Sequence, residues 1–176
     1  MLLVITRCST RSADVKENQN VNAVLELSLQ SVLDSLHLEN DLKEKILVHT
    51  EFFPDNARTS SVASLIDFLG ADTSKQDIDL LRRLKKTVND SLVIWKDYLR
   101  LRTTDLYFHH SDSLFKSPKY FGTFSLSNPI LDNEIKRGCY YFAINCGNVC
   151  SKGYIIFLRK DANSWKLDDF FEVWHG

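Results

Sequence analysis

The chain has 176 residues, and its 22 lysines and arginines nearly balance 23 aspartates and glutamates, leaving a formal charge of −1. Hydrophobic residues make up 44% and charged residues 26%, which excludes a mainly disordered chain and provides no cationic excess to drive nucleic-acid binding. The length suits one domain, and the sequence holds no apolar run long enough for a membrane-spanning helix.

In chain order, Leu2 to Ile5 are apolar, Cys8 follows, and 9–20 is a polar stretch with only Ala13 and Val15 to bury. An apolar segment, a cysteine and a polar leash match the end of a bacterial lipoprotein signal. On this reading Cys8 is the lipidation candidate, 1–20 is a signal remnant or flexible tether, and the compartment is the cell envelope, either periplasm or outer membrane. The apolar segment is shorter than the ~7–15 residues of a secretory core, and Arg7 stands where a small residue is expected. The alternative is a frayed cytoplasmic N-terminus with an idle thiol. A lipid on Cys8 is the one membrane attachment this pattern offers, and one acyl chain alone binds only marginally.

From 21 to 176 the chain reads as one α+β domain, helical over 21–102 and β-rich over 119–176. Val21, Val24, Leu25, Leu29, Val32, Leu33 and Leu36 recur at helical spacing, with Asn20 or Asn22 as cap. A short helix from Asn40 and a strand over 46–52 follow. Val62, Leu65, Ile66 and Leu69 then predict a helix ended by Gly70. Ser74 caps the next element, whose stripe runs from Ile78 to Leu99; a single helix over 75–101 would be about 40 Å long, and Asn89-Asp90-Ser91 offers capping side chains for a break. Eight basic side chains against four aspartates over 75–102 read as a solvated helix face, or alternatively as a surface for an anionic partner.

After Lys119 the chain is crowded with aromatic and β-branched residues, which favour a pleated, half-buried surface. Strands are predicted near 121–127, 138–145, 153–160 and 164–174, the last three as an antiparallel meander. Both faces of the third strand begin apolar. Helices are therefore expected on one side, with the sheet curling around the other, as in cystatin-like or nuclear-transport-factor-like cones with an aromatic pocket.

The candidate chemistry is sparse. Cys146 and Cys150 flank a tight turn that can bring their Cα atoms within the ~4.4–6.8 Å of a disulfide. Two free thiols are the alternative, and Cys139 faces the other side of its strand. Their Cys-x3-Cys spacing differs from the redox Cys-x-x-Cys motif. His109 and His110 are the other conceivable ligand pair for a zinc site with the two cysteines, but adjacent histidines on a strand would point to opposite faces and rarely reach one metal, so no zinc site is expected. With Ser111 and Asp112 they read as a polar loop rather than a triad, since triad members meet in space rather than in sequence. Asp168, Asp169 and Glu172 offer carboxylates on the last strand, there to solvate an edge or to act as acid or base. No nucleophile elbow, phosphate loop or zinc-protease helix occurs, so no catalytic residue and no cofactor is assigned.

The run Asn128-Pro129-Ile130-Leu131-Asp132, then Cys146-Gly147-Asn148-Val149-Cys150-Ser151-Lys152-Gly153, Leu158-Arg159-Lys160, Trp165-Lys166-Leu167 and Trp174 resembles the C-terminal pattern of uncharacterised cell-envelope proteins of Bacteroidota. It departs from that pattern at Ser151, where Gly is usual. The resemblance covers about the last fifty residues and implies a compartment and a fold more than an activity. The expectation is a non-enzymatic envelope module binding an unknown protein or small ligand. A small enzyme with a cone-type pocket and a cytoplasmic immunity- or antitoxin-like binding protein are the alternatives.

Overall fold

In the computed structural model, residues 10–35, 46–49, 56–69, 74–88, 90, 106–109, 122–145 and 151–175 are described. They form α1 (Thr10–Ser35), β1 (Ile46–His49), α2 (Asn56–Leu69), α3 (Lys75–Thr87), β2 (Leu106–His109), β3 (Gly122–Leu126), β4 (Ile130–Asp132), β5 (Arg137–Asn145), β6 (Ser151–Asp161) and β7 (Ser164–His175). The fold is α+β, with the helices preceding an antiparallel β3–β7 array.

The predicted meander is present. β5 pairs with β6 and β6 with β7, both antiparallel, and a two-residue loop at 162–163 joins the last pair. The first half adds more than helices, because β1 lies between β2 and β3 and runs parallel to both, giving the order β2-β1-β3-β5-β6-β7. Parallel neighbours require a crossover, and α2 with α3 forms the one between β1 and β2. The strand expected over 46–52 is observed over Ile46–His49. β2 was not expected at all, since His109 reads as loop in sequence and is a strand residue in the structure, in register with His49.

β4 is a second correction, because Asn128-Pro129 onward reads as a connection. β3 and β4 occupy the same side of β5 in two registers, broken at 127–129. Pro129 has no N–H to give the ladder. Ser127 spans the break instead: its N–H donates to the Tyr141 carbonyl at 3.0 Å and its Oγ accepts the Tyr141 N–H at 2.9 Å.

Helices cover both sides of the sheet, not one. Val24, Leu25, Leu29, Val32 and Leu33 of α1 pack with Phe124, Tyr140, Phe142, Ile144, Tyr154, Ile156, Leu158 and Trp165. The other face packs Val62 and Leu65 of α2 and Leu80, Leu81 and Leu84 of α3 against Cys139, Tyr141, Ile155 and Phe157. The alternation of β5 and β6 delivers apolar residues to both faces, so each needs a cover. Burying the five α1 side chains is worth on the order of 10 kcal/mol before chain entropy. The aromatic face is therefore filled by α1 among the described residues, and no cone-type pocket opens there.

α1 begins at Thr10, so 10–20 continues the helix rather than forming a loose tether. Once the Val24–Leu33 stripe is docked, each further residue adds a hydrogen bond without a new nucleus, and this stretch contains no Gly or Pro to stop it. α3 starts where predicted: Ser74 Oγ accepts the Asp77 N–H at 3.2 Å and donates to Asp77 Oδ2 at 2.8 Å. It ends at Thr87, before the predicted break, and 91–100 lies outside the described residues, as does the short helix expected from Asn40.

Candidate functional site

A concavity lies between α2 and β7. The core stripe of α2 is Val62, Leu65, Ile66 and Leu69. Beside it runs a second helical stripe at the same spacing, Ser61, Ser64, Leu65 and Phe68. The two serines are too short to fill the space to the sheet. A groove of about 230 Å³ results, lined by that stripe together with Phe171, Glu172 and Val173 of β7. Phe68 stands at the groove with 80% of its surface exposed. The volume is below the ~300 Å³ at which small-molecule sites begin and suits one inserted side chain.

Past Leu69, a second recess of about 120 Å³ continues along β7, lined by Leu69, Asp77, Arg137, Phe157, Asp168, Asp169 and Phe171. Phe171 lines both recesses, so they are neighbours along one strand. Arg137 organises this end. Its Nη2 and Nε donate to Asp77 Oδ1 at 2.9 and 3.1 Å, and its Nη1 donates to Asp168 Oδ2 at 2.6 Å. Burial alone would lower this guanidinium; Asp77 and then Asp168 outweigh it and hold the charge in place.

Of the strand carboxylates singled out in sequence, Asp168 is skipped in the β6–β7 register, where Leu158 pairs with Leu167 and Phe157 with Asp169. That bulge turns its carboxylate to Arg137, with Arg159 at 3.6 Å. Glu172 accepts from Lys152 Nζ at 3.1 Å and from Tyr154 Oη at 3.4 Å, and His175 Nδ1 lies 3.3 Å away. The Lys152 hydrogen bond holds Glu172 below its ordinary value. Asp169 is exposed, accepts the Phe170 N–H at 2.8 Å, and has no cation paired with it among the described residues.

Among the described residues, each carboxylate with a resolved shift moves down: Asp132 through the Arg83 hydrogen bond, Asp161 through Lys166, and Glu172 through Lys152. An acid catalyst needs the opposite shift, toward neutrality. Apart from Arg137, the described groups that move up are a thiol and two phenols of the core. Burial pushes the Cys139 thiol up to about 12 and the Tyr154 phenol to about 12. Burial also raises Tyr140, which the Ser28 hydroxyl 3.0 Å away only partly opposes.

Cys8, His110, Cys146 and Cys150 lie outside the described residues, and His109 is placed only by its backbone. Asn145 and Ser151, the residues bonded to Cys146 and Cys150, close the β5–β6 ladder as a register pair. No group of three or more metal-ligating side chains and no helix long and apolar enough to cross a membrane occurs among the described residues. The groove residues Ser61, Ser64 and Phe68 were missed in sequence; their spacing was the available signal, masked by the stronger apolar stripe beside it. The chain matches no protein-family model, no curated protein and no solved structure.

Proposed function

We propose that this chain is a non-enzymatic binding module of the cell envelope, anchored through a lipid on Cys8, that receives a protein partner in the α2–β7 groove. The observation that carries the binding reading is Phe68, a large apolar side chain 80% exposed beside a groove sized for a single side chain. Support for the envelope comes from Leu2 to Ile5 ahead of Cys8, and from the resemblance of the last fifty residues to Bacteroidota envelope proteins.

A Cys146–Cys150 disulfide belongs to the same reading. Because Asn145 and Ser151 are paired, the two cysteines are the next residues on each side of that hairpin.

The test of binding is panning of the full chain against a phage-displayed heptapeptide library, with the Phe68→Ser variant as competitor. Clones that bind the wild type and are not displaced by excess variant are expected. Failure to recover any Phe68-dependent clone rejects the groove as a binding site. Intact mass of protein purified from its native membrane reads the acyl group on Cys8. Thiol counting after unfolding without reductant reads the bridge: with Cys8 acylated, one reactive thiol supports it and three refute it, and with Cys8 unacylated, two support it and four refute it.

A further inference from the structure

Resting on the binding reading above, we infer that the occupant of the groove is an extended protein segment carrying an apolar side chain followed, two to four residues away, by a lysine or arginine. Three observations specify it. Phe171 and Val173 take part in the apolar cluster on the α2 and α3 face, and Asp169 stands two residues before Phe171, on the same side by strand alternation. The groove therefore passes from apolar, at Leu65, Phe68 and Val173, to acidic, at Asp168 and Asp169, along one strand.

The acidic end is not fully neutralised from within. Arg137 binds Asp77 and Asp168, and Arg159 approaches Asp168 from outside, but Asp169 has no cation among the described residues. An incoming lysine or arginine complements that charge, whereas an acidic segment meets like charge. β7 is also the terminal strand of the sheet, with no further strand paired to its outer side among the described residues. An extended segment lying along it keeps step with Asp169 and Phe171, since both backbones advance about 3.3 Å per residue. A helix advances about 1.5 Å per residue and would fall out of step within one turn.

The experiment is fluorescence anisotropy of the full chain with a labelled Thr-Phe-Thr-Lys-Thr-Lys peptide and its Thr-Phe-Thr-Glu-Thr-Glu counterpart, alongside the heptapeptide selection. Binding of the lysine peptide is expected to exceed that of the glutamate peptide by at least tenfold. Asp169→Asn, which keeps the oxygen that accepts the Phe170 N–H, should weaken it about three- to tenfold, and a rise in salt from about 0.05 to about 0.5 M should erase that difference. Phe68→Ser should remove binding of both peptides, and Lys85→Ala on the exposed face of α3 should leave it unchanged. Equal affinity for both peptides, or indifference to Asp169→Asn, overturns the cationic partner. If Phe68-dependent clones are still selected in that case, the binding reading survives. Loss of all Phe68 dependence removes both. Concentration-dependent dimerisation abolished by Phe68→Ser would assign the groove to a second copy and overturn the inference.

Discussion

The two faces of the central strands are drawn from the same stretches of chain and finish differently. Under α1, four rings cross the sheet in sequence: Phe124 meets Phe142 edge-on at 5.1 Å, Phe142 stacks on Tyr154 at 6.0 Å, and Tyr154 meets Phe170 at 6.0 Å. One long helix with five buried apolar residues closes that face. Its buried Ser28 hydroxyl is also accommodated. Ser28 Oγ donates to the Val24 carbonyl at 2.6 Å, which leaves it as acceptor for the Tyr140 hydroxyl at 3.0 Å. Under α2 and α3 the cover is two shorter helices, one of which turns serines toward β7. Continuous apolar cover gives a closed core. Small residues on a covering helix leave a groove while the stripe beside them still anchors the helix.

The largest test of that contrast is Phe142→Ala. It removes a ring in contact with two others under α1 and should cost about 3–5 kcal/mol in urea unfolding. A loss no greater than that of Phe68→Ser, which should be near zero, would break the distinction between closed and open faces. Arg137→Ala on the opposite face leaves Asp77 and Asp168 without their shared guanidinium. A loss of about 2–3 kcal/mol is expected, below that of a fully buried pair because these side chains keep about a quarter or less of their exposure.

Gly153→Ala tests the end of the grooved face. The Trp174 indole lies over Gly153, where a Cβ would collide with it, and Trp174 Nε1 donates to Tyr141 Oη at 2.8 Å. Displacing the ring should cost about 2 kcal/mol and shift tryptophan emission to the red. Alkali sharpens the same comparison through Cys139. Its folded thiol value lies above the ordinary 9.0, at about 12, so its contribution is intact below pH 9 and is lost progressively as pH rises toward 12. By pH 10 the wild type should lose about 1.4 kcal/mol more than Cys139→Ala, as read by denaturant unfolding at pH 8 and 10. The smallest effect has the opposite sign. Ala162 holds φ 51° in the β6–β7 loop, where a Cβ is strained, so Ala162→Gly should stabilise by about 1 kcal/mol and raise the melting temperature.

Much of this architecture was legible from local spacing. Val24 to Leu33 gave α1 its core stripe, Ser74 with Asp77 marked the start of α3, and Tyr154 to Leu158 announced a strand apolar on both faces. Those signals report what a segment buries, and they survive whatever it is buried against. The second helical cover was implied by the same residues, since Ile155 and Phe157 need burial as much as Tyr154 and Ile156 do. β2 and β4 were not legible, because a three- or four-residue strand is too short for its period to show, and it exists only because a neighbour offers a ladder.

By itself, then, the sequence determined which residues must leave water and at what period, and so the α+β class, the meander and the start of α3, but not the start of α1, which lies at Thr10 rather than at an Asn20 or Asn22 cap. Tertiary structure alone decided the insertion of β1 between β2 and β3, the turning of Asp168 toward Arg137, and the groove that opens where Ser61 and Ser64 face β7. Period and propensity are properties of neighbours along the chain. A groove or an ion pair depends on which distant segments meet and on what space their side chains leave unfilled.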